Sequence, residues 1–277
     1  MNDPEDRPPL RPGAAASGDD AGTPGERRSA PWSPRPTEQS ASIRPFPRRE
    51  QAEAQPLPPH PGQPAMTFRG APVSVALILI CVAIELLLIA APDLRTVAVN
   101  RYAFLVEYGP DGPIASLDIG LLSHAALHGG LLHLGFNMAA LAAFGPPVER
   151  SVGRLAYLGV FLAAAVAGAL AQWLGSAALQ WAGAGPDYGG VALVGASGAI
   201  SGVLALEIYR RDLLLRRMPP IDRPAQPGRY LLQVSAVFLL FNVAIMALPG
   251  GISGEAHIGG YLVGLLLAPI LLRRPAL

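Results

Sequence analysis

The chain has 277 residues, of which 51% are hydrophobic and only 15% are charged, a composition unlike that of an average soluble domain. Its net charge is +1, and its 21 basic residues, all of them arginine, form no basic stripe that would indicate nucleic-acid binding. The single cysteine, Cys81, lies inside an apolar run, which excludes a disulfide framework and a thiolate metal site.

Residues 1–70 form a leader that is rich in proline, arginine, glutamate and serine and poor in large apolar residues. Such a segment cannot bury enough surface to offset its chain entropy, so we expect it to be a disordered cytoplasmic leader. It does not begin with the short basic stretch and apolar core of a secretory signal. The apolar run that begins at Pro72 is therefore expected to be a retained anchor, and residues 71–277 to be a membrane domain.

The apolar runs that follow predict an all-α polytopic membrane protein with six transmembrane helices. A bilayer core of ~30 Å requires about 20 apolar residues per helix, and most of the runs approach this length. Because the six runs show no amphipathic alternation, a soluble protein with buried helices is disfavoured. The predicted spans are Pro72–Pro92, Ala125–Phe144, Leu155–Gly175, Gly195–Tyr209, Tyr230–Leu248 and Ala256–Leu272.

The fourth predicted span is shorter than the others. Its length of about 15 residues corresponds to a rise of ~23 Å, which is less than the hydrocarbon thickness. We therefore expect its outer end to lie below the membrane surface. The glycine-rich segment before it is expected to dip into the protein, where irregular backbone is tolerated beside a water-filled cavity.

The arginines predict the orientation of the spans. They are concentrated in the connection between spans four and five, in the connection after span two, and at the C-terminus. The positive-inside rule then places both termini in the cytoplasm, and the arginine-only usage favours a bacterial inner membrane. Every even-numbered span runs inward from the outer side, so three separate helices bring polar residues in from that side.

His133 and Asn137 are polar residues of span two, and their i, i+4 spacing places them on one helix face. Their N–H groups suit an oxyanion better than a metal ion. A metal site would use His124, His128 and His133, but span two has no H-E-x-x-H pair or nearby acidic ligand. His124 and His128 are instead expected to hold the preceding loop in place, with the alternative that His128 helps to line the site.

Spans four and six carry small residues that predict close helix packing. These residues are Gly198 and Gly202 in span four and Gly260 and Gly264 in span six. Ser197 and His257 stand about two residues inside the outer ends of these spans, so their depths should match. Within hydrogen-bond reach, Ser197 would be a nucleophile and His257 its general base.

The chain contains three separated motifs, HGGLLHLGFNM (His128–Met138), GASG (Gly195–Gly198) and AHIGGYLVG (Ala256–Gly264). Taken together and in this order, they resemble the motifs of the rhomboid intramembrane serine proteases, and the resemblance covers roughly residues 71–277. It implies a six-helix bundle that cleaves transmembrane segments of other membrane proteins with a Ser–His dyad and no cofactor. Carried over, Ser197 is the nucleophile and His257 the base, and His133, Asn137 and the Ser197 N–H form the oxyanion hole.

The chain departs from the family pattern at two points. The Trp-Arg pair that many members carry before span two is missing, since residues 100–123 contain no tryptophan and only Arg101. Some members carry an aromatic residue one turn after the nucleophile that stacks on the histidine, and Ser201 stands there instead, so other packing must orient His257.

Glu85, in the middle of the first span, is expected to be a buried, protonated interhelical donor.

Two other functions compete with a protease. A catalytically silent rhomboid-like protein would bind membrane clients, but such proteins typically lack the serine or histidine that this chain retains. A small transporter or channel is disfavoured, because there is no inverted repeat and no second midplane acid beside Glu85. The expected partners are transmembrane protein substrates and the lipid bilayer, with no nucleic acid.

Overall fold

The computed structural model describes residues 68–183, 189–219, 228–246 and 253–272. The predicted leader lies almost wholly outside these ranges and stays a prediction. The described chain is predominantly helical, in the order α1 Pro72–Ala90, α2 Asp93–Tyr102, β1 Phe104–Tyr108, β2 Ile114–Ala115, α3 Gly120–Ser123, α4 Leu131–Val152, α5 Arg154–Trp181, β3 Gly189–Leu193, α6 Ser197–Arg217, α7 Arg229–Met246 and α8 Gly254–Leu272.

Five of the described helices, α1, α4, α5, α7 and α8, are long and apolar enough to cross a membrane. They make the chain an integral membrane protein. The remaining long helix, α6, has 21 residues, but its second half carries several charged residues that remove it from this group. Those residues stabilise the helix through pairs one turn apart, with Glu207 bound by Arg210 and Arg211 and Asp212 bound by Arg216.

The helix boundaries correct three predicted spans. The second span does not begin at Ala125, which lies in a 3-10 turn (His124–Ala126), because Gly130 adopts φ +127° and α4 starts only after it. The α5 helix continues beyond Gly175 to Trp181. The fourth span continues beyond Tyr209 to Arg217, so only its apolar part is short, not the helix.

The α6 helix lies at the centre of the membrane domain, where it packs against α4, α5, α7 and α8. Nearly every residue from Gly198 to Ile208 is buried, as expected for a helix surrounded by other helices. Glycine permits the closest approach, because a Cβ at Gly264 would collide with the carbonyl oxygen of Gly202. A Cβ at Gly198 would lie 3.2 Å from the carbonyl oxygen of Ala256, and Gly168 of α5 lies beside the same contact.

A small antiparallel sheet, ordered β2-β1-β3, connects the loop between α1 and α4 to the segment before α6. The pairing of β1 with β3 runs from Phe104 opposite Leu193 to Tyr108 opposite Gly189. Side chains of α5 support the loop, since Trp173 donates to the Pro113 carbonyl (2.9 Å) and Gln180 to the Gly109 carbonyl (2.9 Å). The sheet thus fixes the residues that lead into Ser197.

Two buried carboxylates connect helices at opposite ends of α1. Glu149 of α4 accepts from the backbone N–H groups of Val73 and Ser74 and from the Ser74 hydroxyl at 2.7–2.9 Å, which satisfies donors of the first turn of α1. Glu85 accepts from Arg95 of α2 at 2.7 Å, and Arg95 also donates to the His128 carbonyl at 3.1 Å. Glu85 is therefore an ion-pair acceptor, which corrects the expected protonated donor.

We expect Gly260→Ala to lower the free energy of unfolding by about 1–3 kcal/mol, because its methyl group would overlap the Gly198 carbonyl oxygen. Gly159→Ala in α5 is the matched control, since a Cβ there meets nothing within 4 Å. It should leave stability unchanged or raise it by up to about 1 kcal/mol. Thermal unfolding in one detergent compares the two variants, and equal stabilities would contradict the glycine contact.

We expect Arg95→Leu to destabilise the protein by about 1–3 kcal/mol, because it leaves the Glu85 carboxylate buried without a cation. The double variant Glu85→Leu/Arg95→Leu should recover most of that loss, because it removes both charges. The free energies of unfolding of the wild type, both single variants and the double variant form a double-mutant cycle. Additive effects would show that the pair contributes nothing.

Candidate active site

An open cavity of about 640 Å³ is lined by residues of α4, α6, α7 and α8. Four polar residues singled out by the sequence line it together: His133 and Asn137 from α4, Ser197 from α6 and His257 from α8. Apolar side chains form most of the remaining wall, among them Leu132, Phe136, Ile200, Leu204, Phe238 and Phe241. A largely apolar pocket with a few convergent polar groups is typical of a binding or active site.

Ser197 is the first residue of α6, directly after a sharp bend of the backbone. Gly195 adopts φ +115°, and its N–H donates to the His124 carbonyl at 2.9 Å. A Cβ at Gly195 would lie 2.8 Å from the His133 ring, so glycine permits the bend and keeps the ring in place. The N–H groups of the first helical turn have no partner inside the helix and remain available near the serine.

His257 lies in the first turn of α8, one residue after the Ala256 carbonyl that approaches Gly198. Ser197 immediately precedes Gly198, so the helix contact brings serine and histidine to the same level. Both side chains are half-buried and face the cavity, without a direct hydrogen bond between them. Such bonds are often long before substrate binds and shorten in the complex.

The ring of His257 is held by a residue that the sequence analysis did not single out. Its Nδ1 lies 2.7 Å from Oδ1 of Asn242, on α7. The amide Nδ2 of Asn242 donates to the Phe238 carbonyl at 2.8 Å, one turn earlier in the same helix. An amide side chain among the apolar residues of the second half of α7 is the signal in the sequence, since polar groups at membrane depth are costly and seldom unpaired.

His133 and Asn137 occupy one face of α4, as their spacing predicts. Asn137 Nδ2 donates one of its two N–H groups to the His133 carbonyl at 3.0 Å. The other N–H group of this amide does not take part in that bond. The N–H of Gly129 donates to His133 Nδ1 at 3.3 Å, so the ring proton is assigned to Nε2. Nε2 lies beside Gly195. The two side chains thus offer N–H donors close to Ser197.

His124 and His128 belong to the connection before α4. The His124 Nδ1 lies 2.8 Å from the Gly120 carbonyl, and burial lowers the pKa of His124. Burial, together with nearby His133, lowers the pKa of His128 to about 4, so this ring is neutral at neutral pH. Within the described ranges, no three His, Cys, Asp or Glu side chains are grouped as metal ligands.

Ser201, one turn after Ser197, also lines the cavity. Its hydroxyl donates to the Ser197 carbonyl at 2.8 Å, which satisfies it within α6. This local bond is common for serine inside helices. Ser201 therefore does not take over the histidine contact of the aromatic residue that some rhomboid proteases carry at this position.

Comparison with known proteins agrees with this architecture. The Rhomboid family model, described as Rhomboid domain, matches residues 119–274. Rhomboid protease GluP of Bacillus subtilis is 30% identical over 155 residues, which cover 54% of this chain and 25% of GluP. Rhomboid-type serine protease 2 of Emericella nidulans is 31% identical over 149 residues, covering 54% of this chain and 26% of that protein.

A third relative is matched over a larger share of its own length. Rhomboid protease AarA of Providencia stuartii is 30% identical over 156 residues, covering 51% of this chain and 52% of AarA. The chain thus spans between a quarter and about half of the length of these relatives. Because the family model matches more than half of its residues, the chain belongs to the rhomboid family.

Proposed function

We propose that this protein is an intramembrane serine endopeptidase that hydrolyses peptide bonds in or near transmembrane segments of other membrane proteins. The observation that carries the proposal is the meeting of Ser197, His257, His133 and Asn137 at one cavity, although they come from three helices. Relatives named as proteases support the same reaction. The proposed domain is a six-span bundle in which α6, the fourth span in chain order, joins the five helices that are long and apolar enough to cross a membrane.

In this reaction the Ser197 hydroxyl attacks the scissile carbonyl carbon while His257 Nε2 takes its proton. The carbonyl oxygen becomes an oxyanion. When the C–N bond breaks, His257 returns the proton to the leaving amine, and an acyl group remains on Ser197. Water then attacks the ester with His257 again as base, which releases the acid and regenerates the serine. The chemistry requires no cofactor.

The oxyanion would lie among donors already oriented toward the cavity. His133 Nε2–H, the second N–H of Asn137 and the backbone N–H of Ser197 are the proposed donors. His133 is fixed by Gly129 and Asn137 by the His133 carbonyl, so little reorganisation accompanies charge development. In a water-poor site, fixed dipoles of this kind stabilise the transition state more than they would in water.

Substrate is proposed to enter from the lipid phase between α4 and α7. The cavity wall there includes Phe136 of α4 and Phe241 of α7, which are 70% and 62% exposed. Large exposed apolar side chains at membrane depth are compatible with lipid and with an apolar substrate helix. A transmembrane substrate could therefore reach Ser197 laterally without leaving the bilayer.

The proposed orientation places both termini in the cytoplasm and the active site toward the outer side of a bacterial inner membrane. The charged second half of α6, from Glu207 to Arg217, would then lie at the cytoplasmic face. Arginine-rich connections on that side support the assignment.

We expect Ser197→Ala and His257→Ala each to abolish cleavage of a single-span reporter in liposomes, because nucleophile and base act as one unit. A fluorophosphonate probe should label the wild type and not Ser197→Ala. Ser151→Ala is a matched control, since this exposed serine binds only the Pro147 carbonyl at the end of α4. Full cleavage by either active-site variant would refute the proposal, and a folded wild type that does not react would favour a client-binding protein.

We expect Asn137→Leu to lower kcat about 10²- to 10³-fold with a smaller effect on KM, because an oxyanion donor acts mainly in the transition state. Cleavage kinetics on the same reporter measure the separate effects on kcat and KM. Probe labelling of Ser197 should slow in parallel. An unchanged kcat would remove Asn137 from the oxyanion site.

A further inference from the structure

We propose that Asn242 of α7 is a positioning residue that fixes the tautomer and orientation of His257, giving the site a Ser–His–Asn arrangement. The inference rests on the proposed function, in which His257 is the base. The observation behind it is the 2.7 Å contact between Asn242 Oδ1 and His257 Nδ1. Asn242 would act through the histidine, without touching the substrate.

The orientation of the Asn242 amide follows from its second hydrogen bond. The Phe238 carbonyl can only accept, so the amide atom 2.8 Å from it must be the donor, Nδ2. The acceptor Oδ1 then faces His257, and Nδ1 of the ring must carry the proton. The Phe238 carbonyl thus determines, through one side chain, which nitrogen of His257 is protonated.

This tautomer is the one that a general base for Ser197 needs. With the proton on Nδ1, Nε2 has a free lone pair that can accept the serine proton. A neutral histidine ring without a partner favours the opposite tautomer, which presents N–H to the serine and cannot act as its base. Asn242 is 1% exposed, so water does not compete for its amide oxygen. After proton transfer, Oδ1 still accepts from the imidazolium.

Simple helix packing explains the contact less well. Asn242 and Ile245 are the buried residues among those described for α7, which otherwise presents apolar side chains outward. Two turns away, Ser235 and Tyr261 already join α7 and α8 through a 2.6 Å hydrogen bond, and Phe238 stacks on Tyr261 with ring centroids 4.5 Å apart. An apolar residue at 242 would pack there without the cost of burying an amide.

The arrangement also accounts for Ser201. In relatives with an aromatic residue one turn after the nucleophile, a ring can hold the histidine by stacking. Here the Ser201 hydroxyl donates to the Ser197 carbonyl, and His257 is held instead by its hydrogen bond to Asn242 of α7.

The test compares Asn242→Leu, which removes the acceptor at similar volume, with Asn242→Asp, which keeps an acceptor oxygen. Ser235→Ala is the matched control, because it removes another α7–α8 hydrogen bond without contacting His257. All variants are full-length and reconstituted in one lipid. Three readouts are taken: kcat and KM on a single-span reporter, the probe labelling rate of Ser197, and ¹⁵N shifts of the His257 ring, assigned with His257→Ala.

We expect Asn242→Leu to lower kcat about 10- to 100-fold with KM within about twofold, since misplacing a catalytic group costs rate more than binding. Probe labelling should slow in parallel, and the ring nitrogens should shift toward the Nε2-protonated form. Asn242→Asp should keep the wild-type tautomer and retain more kcat than Asn242→Leu. Ser235→Ala should keep kcat and tautomer even if its unfolding midpoint falls.

The inference is overturned if Asn242→Leu keeps the wild-type tautomer, or if Ser235→Ala lowers kcat as much as Asn242→Leu does. Asn242→Ala replaces Asn242→Leu should the latter not fold. A wild-type protein that neither cleaves the reporter nor reacts with the probe would contradict the proposed function instead. The ring shifts still report the Asn242 contact in that case, so the two failures are distinguishable.

Discussion

The close contact between α6 and α8 is the constraint on which the rest of the site depends. A methyl group at Gly260 or Gly264 would strike the backbone of α6, so the two helices touch through backbone atoms. Contacts between backbones leave little freedom for the helices to slide, because no flexible side chain can absorb a shift. The serine at the start of one helix and the histidine in the first turn of the other are therefore held at one level.

The buried acids of the described chain share a second property, which is that each is neutralised or hydrogen-bonded, either within its own helix or by a neighbouring segment. Glu149 caps α1, Glu207 is bound by two arginines one turn away, and Glu85 binds Arg95. The last pair has a consequence for the site, since Arg95 also holds the carbonyl of His128, whose ring lies against His133 with centroids 5.4 Å apart. Arg95 and His128 lie on either side of the segment that lacks the Trp-Arg pair, so the two ends of this connection are joined to each other and to Glu85 of α1.

The sequence could predict features that repeat along one helix. The glycine spacing and the positions of Ser197 and His257 indicated two helices in contact at their outer ends, and the i, i+4 spacing placed His133 with Asn137. Pairings between distant segments left no such pattern. The strand β1 pairs with β3 across a separation of more than eighty residues, and Asn242 meets His257 only because α7 and α8 pack antiparallel. The predicted end of the fourth span at Tyr209 is wrong for another reason, because the charged residues that follow it form ion pairs within the helix, which continues to Arg217.

The polar residues of the site are unequally supported by packing. Ser197 begins a helix whose first half is buried on all sides, and His257 lies against it, whereas Asn242 lies on a helix with few buried side chains. If Asn242 fixes the histidine tautomer, the competence of the base depends on the least buried of the helices around the cavity. A displacement of α7 large enough to break a 2.7 Å hydrogen bond would release the ring while leaving the α6–α8 contact intact. Base strength and scaffold stability would then respond to different perturbations, although they share one cavity.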